Sequence, residues 1–256
     1  MSSIQKAFEN GRAFIAFLTC GDPDLETTEA LVKAMAEAGA DLIELGIPFS
    51  DPTAEGPVIQ AANLRALNAG TTTDKVFDLV RRLRESVTIP MVFMTYANVV
   101  FSYGSEKFLS KAAEAGIQGL ILPDVPFEEK EEFEPLCAKY GLELVSMIAP
   151  TSHERIRAIA QEAKGFVYCV SSLGVTGVRT NITTDIGSMV SLVKETKDIP
   201  TAVGFGISTP EQAKDMAQKA DGVIVGSAIV KLIAQYGRDS IEPVAQYVRS
   251  MKRAME

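Results

Sequence analysis

Eight short apolar segments recur along the chain, and each is followed by a stretch with helical periodicity. Their hydrophobicity is nearly continuous rather than alternating, which is typical of parallel strands covered by helices. The segments are AFIAFLT (13–19), DLIELGI (41–47), PMVFMTY (90–96), GLILPD (119–124), LELVSMIA (142–149), FVYCVS (166–171), TAVGFG (201–206) and DGVIVGS (221–227).

The number of strand–helix units decides the expected architecture. Eight units in 256 residues match the size of a (β/α)8 barrel, and no linker or low-complexity segment divides the chain. We therefore predict an α/β fold, a (β/α)8 TIM barrel built as a single domain over residues 1–256. A doubly wound open sheet is the alternative, because counting strands in one sequence is error-prone.

Composition excludes several function classes. The net charge of −8 and the lack of a basic run argue against nucleic-acid binding. The sequence has no run of about 18 apolar residues, so we expect no membrane span. The N-terminus carries no stretch of signal-peptide type. Three distant cysteines without a CxxC pair favour a reduced compartment, so we expect a cytoplasmic protein; they are Cys20, Cys137 and Cys169.

Several helix ends are marked in the sequence. TSHE (151–154) has the pattern of a capping box, and in TPEQ (209–212) a threonine can cap while proline fills the first turn. Ser105 can cap the helix that follows it. Three glycines fit helix C-termini, namely Gly39, Gly116 and Gly141.

Reactive side chains are scarce at the predicted strand ends, where barrel enzymes keep their active sites. No lysine occurs in the eight predicted strands, which argues against Schiff-base chemistry. His153 is the only histidine and marks a helix start, so a His-rich metal site is excluded and a histidine base is disfavoured. Carboxylates, tyrosines and glycines remain.

Glu44 is the sharpest candidate, because it interrupts the apolar strand DLIELGI. The segment EAGADLIEL (37–45) resembles EAGIQGLIL (114–122), and in this register Glu44 takes the place of Ile121. Burial raises the pKa of a carboxyl group, which suits a group that both gives and takes protons near neutral pH. A structural glutamate paired with an arginine or tyrosine is the alternative.

Other polar residues at strand ends are less specific. Asp51 could organise a turn, and from the sequence alone Glu55 is expected to be solvated. Asp124 either holds a loop or belongs to the site. Tyr96 and Tyr168 either carry their hydroxyl groups into a pocket or pack in the core.

Glycine-rich loops follow three consecutive strands: SLGVTG (172–177), GFGIS (204–208) and VGSAIV (225–230), the last opening a helical pattern. Exposed backbone N–H groups and a helix N-terminus at this position bind phosphate in many barrels. An acidic protein can hold an anion in this way without a basic patch.

Six motifs in order resemble those of the tryptophan synthase alpha subunit family, from about residue 4 to the C-terminus. They are ELGIPFSDP (44–52) with GP (56–57), PDVP (123–126), GVTG (174–177), GFGIS (204–208) and VGSAIVK (225–231). The resemblance implies cleavage of indole-3-glycerol phosphate to indole and glyceraldehyde 3-phosphate. It also implies no cofactor in this chain, and passage of indole to a beta subunit that carries pyridoxal phosphate, in an alpha2–beta2 complex.

The resemblance also implies residue roles. Glu44 would transfer protons, Glu55 would accept a hydrogen bond from the indole N1–H, and Tyr168 would border Glu44. Substrate would contact Phe17, Met94, Tyr96, Ile121, Thr176, Gly177, Phe205, Gly206, Gly226 and Ser227. The beta subunit would dock on Pro48, Asp51, Asn98 and Pro126.

The chain departs from the family at position 55. The common family pattern is SDPLADGP, whereas this chain has SDPTAEGP, so a glutamate replaces the usual aspartate and Thr53 replaces leucine. Glutamate keeps the negative charge but is one methylene longer than aspartate, which changes the reach of the carboxylate. Two alternatives stay open: another phosphate-binding barrel lyase, and a mainly non-catalytic partner of a beta subunit.

Overall fold

Eight strands form a closed, all-parallel barrel in the order β1 to β8. A computed structural model describes residues 3–170, 185–204 and 206–256. The strands are β1 (Ala13–Thr19), β2 (Leu42–Gly46), β3 (Met91–Met94), β4 (Gly119–Ile121), β5 (Glu143–Ile148), β6 (Lys164–Val170), β7 (Thr201–Gly204) and β8 (Gly222–Val225).

Helices cover the outside of the barrel. They are α1 (Leu25–Glu37), α2 (Pro57–Asn68), α3 (Thr73–Arg84), α4 (Ala97–Tyr103), α5 (Ser105–Ala115), α6 (Glu134–Lys139), α7 (His153–Glu162), α8 (Ile186–Thr196), α9 (Pro210–Ala217), α10 (Ser227–Tyr236) and α11 (Ile241–Met255). Within the described residues, 3-10 helices lie at Gln5–Phe8, Phe127–Glu132 and Gly237–Ser240. Within the described residues, no helix is long and apolar enough to cross a membrane.

The barrel prediction is confirmed, and all eight predicted strands are present within a few residues of their expected bounds. The expectation that the strands contain no lysine was wrong, because β6 begins at Lys164. That lysine is exposed, pairs with Glu134 at 2.8 Å and lies at the strand's N-terminal end. It is therefore at the end of the barrel opposite to the site, and the argument against a Schiff base is unaffected.

Helix ends agree with the sequence in part. Thr209 forms a full capping box with Gln212, as predicted. At α7 the cap is Ser152 rather than Thr151, because the helix begins one residue later and the Ser152 hydroxyl accepts from the third amide. Ser105 is the first residue of α5 and makes no cap; Gly104 occupies that position.

The predicted C-terminal glycines are confirmed. Gly116 ends α5 in the left-handed conformation with φ of 98°, and two further glycines follow α1 and α6 with positive φ, namely Gly39 and Gly141. Only glycine adopts this backbone without strain, so these positions stop the helices sharply.

Most of the described core lies in two apolar layers. The outer layer joins strands to helices and includes Ile43, Leu45 and Phe93. The inner layer fills the barrel itself and includes Ile15, Leu42, Val92, Ile121, Val145, Phe166 and Ile224. Because strand side chains alternate, residues 42 and 44 share the inner face while 43 and 45 face the helices.

We expect the outer layer to depend on the aromatic cluster around Phe77. This ring is 1% exposed and lies 5.4–5.8 Å from the rings of Phe93, Tyr103 and Phe108. Phe77→Ala should lower the free energy of unfolding by about 3–5 kcal/mol, because it leaves a cavity. Phe101 is 50% exposed, so Phe101→Ala should cost only about 1 kcal/mol. Urea unfolding of both variants tests this, and equal losses would contradict it.

Candidate active site

Strand register shows which side chains flank the predicted pocket residues on the neighbouring strands. Glu44 lies beside Phe17 of β1 and Val92 of β3, and Ile121 of β4 lies beside Met94. The sequence echo is therefore correct, since Glu44 and Ile121 both project inward from their strands. Phe17 and Met94 also pack together near α2, with Ile59 and Ala62.

The Glu44 carboxyl is enclosed by the barrel. Its side chain is 1% exposed, and Oε1 has no hydrogen-bond partner among the described residues. Burial raises the pKa of Glu44 to about 8. Transfer of the charged form from water is costly, and no described lysine or arginine bonds to it. The group is thus held mainly protonated at neutral pH and can donate its proton.

Tyr168 borders Glu44 as predicted. It is buried at 4% exposure, and its pKa is raised well above the usual range by burial and by the nearby charge of Glu44. A Cβ atom on Gly204 would lie 2.5 Å from the Tyr168 hydroxyl oxygen. Gly204 of the GFGIS motif therefore makes room for this ring.

Phe17 is accommodated in the same way. A Cβ atom on Gly46 would lie 2.8 Å from the ring, and one on Gly226 would lie 3.1 Å from it. Larger side chains at these two positions would displace Phe17 from the pocket wall. Two of the motif glycines thus define the pocket's shape, in addition to any ligand they contact.

The expectation that Glu55 is solvated was wrong. The residue is buried at 9% exposure, because α2 and the end of β3 cover its loop. Asn63 Nδ2 donates to Glu55 Oε2 at 2.6 Å, and the Tyr96 hydroxyl bonds to the same carboxylate. Burial raises the pKa of Glu55 to about 7, while both hydrogen bonds act to lower it.

Tyr96 joins the loop that carries Glu55 to the barrel. Its ring is 2% exposed, and its hydroxyl accepts from the Ala54 amide at 3.3 Å. The structure therefore unites both interpretations of this tyrosine: its ring is buried and its polar tip reaches the loop of Glu55.

Asp124 has a structural contact. Both of its carboxylate oxygens accept from the Ala97 amide at 3.1 Å, at the N-terminus of α4. A carboxylate at this point satisfies an amide that the helix itself leaves free. This favours the interpretation of Asp124 as a residue that holds a loop.

The C-terminal ends of β7 and β8 carry two of the glycines predicted to bind phosphate. Gly206 has φ of 89° and is partly exposed. Gly226 is the N-cap of α10, and Ser227 is its first residue, also partly exposed. Thr176, Gly177 and Phe205 lie outside the described residues.

The predicted docking residues divide into two groups. Asp51, Asn98 and Pro126 are exposed, but Pro48 is buried. Asp51 accepts from the Ser50 hydroxyl at 2.5 Å. Pro48 can shape the loop but presents no side-chain surface to a partner in this conformation.

Asn63 is the site residue that sequence reasoning missed. It is 3% exposed and lies beside Ala62 on the buried face of α2. An amide on an apolar helix face was the available signal, because such a group needs a buried partner. Among the described residues, no three His, Cys, Asp or Glu side chains could together hold a metal ion.

The fold and the site together define a (β/α)8 barrel protein with two buried carboxyl groups at its strand ends, Glu44 and Glu55. The family model for the tryptophan synthase alpha chain matches residues 4–256, and the chain belongs to that family. It is accordingly a carbon–carbon lyase that cleaves indole-3-glycerol phosphate in tryptophan biosynthesis.

Individual relatives agree over their full length. The tryptophan synthase alpha chain of Lactiplantibacillus plantarum is 50% identical over 257 residues, covering 100% of this chain and 97% of that one. The alpha chain of Legionella pneumophila superposes with a TM-score of 0.89 at 37% identity, with coverage of 100% and 97%. A tryptophan synthase complex from Pyrococcus furiosus contains a chain with a TM-score of 0.85 at 34% identity, with coverage of 95% and 98%.

Stability should depend on pH through Glu44. Its pKa is about 8 in the folded protein and 4.5 ordinarily, so between these values the folded state binds more protons than the unfolded chain. The free energy of unfolding therefore falls as pH rises through this range. Glu44→Gln removes this titration. Relative to the wild type, the variant should gain on the order of 1–4 kcal/mol between about pH 5 and about pH 8.5.

Urea unfolding of both proteins at the two pH values measures this gain. Glu131→Gln, which removes an exposed carboxyl group in the same way, is the matched control against which the Glu44→Gln difference is read. A constant difference between Glu44→Gln and wild type across the range would show that Glu44 does not titrate there.

Proposed function

We propose that Glu44 carries out the proton transfers of indole-3-glycerol phosphate cleavage. The observation that carries the proposal is its buried carboxyl group, whose Oε1 faces no described hydrogen-bond partner and whose pKa is about 8. A protonated acid of this kind can donate to C3 of the indole ring. This breaks the ring's aromaticity and places positive charge at N1.

The carboxylate left on Glu44 then serves as a base. It takes the proton from the hydroxyl group on the adjacent side-chain carbon, a carbonyl forms there, and the bond to C3 breaks. The electron pair of that bond returns to the ring and gives indole. Glu44 ends the cycle protonated, so one group supplies both steps, as its near-neutral pKa allows.

Glu55 stabilises the charge that develops at N1. Its carboxylate is fixed by Asn63 and Tyr96, and a preorganised anion at this point acts without reorganisation as the charge appears. Tyr168 packs beside Glu44, while Phe17, Met94 and Ile121 form apolar walls for the indole ring. These contacts favour a catalytic role over a solely non-catalytic partnership.

Glu44→Gln should reduce the rate of indole release by about 100- to 10,000-fold, because glutamine keeps the shape but exchanges no proton. The Michaelis constant should change little. Steady-state indole release at saturating substrate measures this. Activity within about tenfold of wild type would make Glu44 a structural acid.

The substrate phosphate binds at the loops after β7 and β8, at Gly206, Gly226 and Ser227, and at Gly177 after β6. Support comes from the ten-residue helix α10, whose N-terminus begins at the barrel rim. The positive end of a helix dipole and its free N–H groups favour an anion.

Ser227→Asp tests the phosphate site. An aspartate at a helix N-terminus stabilises the helix, so folding should be preserved, but its charge repels a phosphate dianion. We expect the Michaelis constant to rise by about tenfold or more. Ser227→Asn, which has similar size and no charge, should change it far less. This position is cleaner than Gly206, where φ of 89° would strain any side chain. Equal constants for the two variants would argue against the site.

The chain works with a beta subunit in an alpha2–beta2 complex, and pyridoxal phosphate belongs to that partner. Support comes from the tryptophan synthase complex of Pyrococcus furiosus. It also comes from the exposed Asp51, Asn98 and Pro126, and from Phe101, which is half exposed one turn after Asn98 on α4.

The three cysteines are free and buried, which suits a reducing cytoplasm.

Asn98→Arg should weaken association with the cognate beta subunit, because a long charged side chain would be forced into the interface. Asn68→Arg makes the same change at an exposed position at the far end of α2 and is the matched control. Sedimentation of mixtures at micromolar concentrations distinguishes them. Identical binding by both variants would place the docking surface elsewhere.

A further inference from the structure

Helix α2 holds Glu55 at two points. Asn63 Nδ2 donates to the carboxylate at 2.6 Å, and Gln60 Nε2 donates to the Glu55 backbone carbonyl at 2.7 Å. Only the first of these bonds reaches the group that would meet the substrate. The side chain of Asn63 therefore controls the carboxylate, whereas Gln60 controls the loop's backbone.

Asn63 occupies a place that is costly for an amide. It is 3% exposed on a helix face whose other buried members are Ile59, Ala62 and Ala66. A buried amide without a hydrogen bond loses its hydrogen bonds to water and gains none in exchange. The hydrogen bond to Glu55, eight residues earlier in the chain, replaces one of those lost bonds, and both side chains are enclosed.

The helix that carries Asn63 is fixed independently of the loop. Arg65 makes a two-point ion pair with the buried Asp22 at 2.7 and 2.8 Å, which ties α2 to the end of β1. Ile59 and Ala62 pack against Phe17 on the pocket wall. Asn63 is thus presented by a rigid element, and the loop acid adjusts to it.

The charges around Glu55 give Asn63 a chemical role. No described lysine or arginine bonds to this carboxylate. Tyr96 faces it from the end of β3, and Asp124, whose charge acts on Tyr96, adds negative charge. With no cation in contact, neutral donors must offset burial, and a donor to the charged form favours that form.

We propose that Asn63 is a positioning residue, whose hydrogen bond keeps the Glu55 carboxylate ionised and aimed at the substrate's N1–H. Glutamate at this position is one methylene longer than aspartate and has an additional rotatable bond, so its carboxylate needs a fixed anchor. The inference rests on the proposed role of Glu55.

Asn63→Leu tests the proposal, because leucine has the same branching and the same number of side-chain heavy atoms but no donor. We expect kcat/KM, the apparent second-order rate constant for indole release, to fall about 10- to 100-fold near neutral pH. The acidic limb of its pH profile should move to higher pH, since loss of the donor raises the pKa of Glu55 above about 7. Asn68→Ala, on the exposed side of α2, is the control and should stay within about twofold of wild type.

A readout independent of activity is a carbon-13 NMR titration of the glutamate carboxyl groups, in which Glu55→Ala identifies the Glu55 signal. That signal should titrate at higher pH in Asn63→Leu. Asn63→Ser keeps a hydroxyl donor, and should recover part of the rate and part of the titration shift. It also serves if the leucine variant does not fold.

The effect of Asn63 should vanish when Glu55 is absent. In the Glu55→Ala background, Asn63→Leu should cost no more than about twofold further. An unchanged Glu55 titration, or an equal loss in both backgrounds, overturns the inference and leaves Asn63 a structural residue. Wild-type activity in Glu55→Ala alone would instead overturn the proposed role of Glu55, so the two failures are distinguishable.

Discussion

The burial of one carboxyl group inside a closed barrel is the constraint on which the site depends. A parallel sheet closed on itself and covered by helices leaves its inner side chains without water. Below Glu44 the interior is apolar, with Ile15, Leu42 and Val92 packed together. Burial therefore keeps Glu44 mainly protonated at neutral pH, which is the state that the proposed proton donor requires.

The second acid is controlled by a different means. Glu55 lies in a loop, so its burial depends on the helix and strand end that close over it. Hydrogen bonds from Asn63 and Tyr96 oppose the effect of that burial. The two carboxyl groups thus have separate environments, one without a described donor on Oε1 and one with two donors. This difference suits a proton carrier beside a fixed anion.

Glycines in the family motifs have a packing role that is distinct from phosphate binding. Gly46 and Gly226 leave space for Phe17, and Gly204 leaves space for Tyr168. The aromatic rings stand where side chains on the neighbouring strands would otherwise project. Part of what makes these motifs specific is therefore the shape of the pocket wall, and a single methyl group would change it.

Much of the fold and one half of the site could be predicted from the sequence. Apolar runs and helix signals depend on neighbouring residues, so they located eight strands and the capping box at Thr209. The echo between EAGADLIEL and EAGIQGLIL also predicted that Glu44 projects from its strand as Ile121 does from the other. The local pattern did not identify the cap of α7 correctly. The TSHE motif predicted Thr151, whereas Ser152 is the N-cap.

The sequence by itself determined the barrel, the inward acid on β2 and the order of the motif loops. The tertiary structure alone decided that Glu55 is buried, that Asn63 and Tyr96 hold it, that Asp124 caps α4, and that Pro48 is covered. The physical reason is the separation along the sequence of the residues in contact. Strand and helix patterns arise from contacts within a few residues, whereas Ala54 meets Tyr96 across 42 positions and Arg65 meets Asp22 across 43. Such contacts exist only once the barrel has closed.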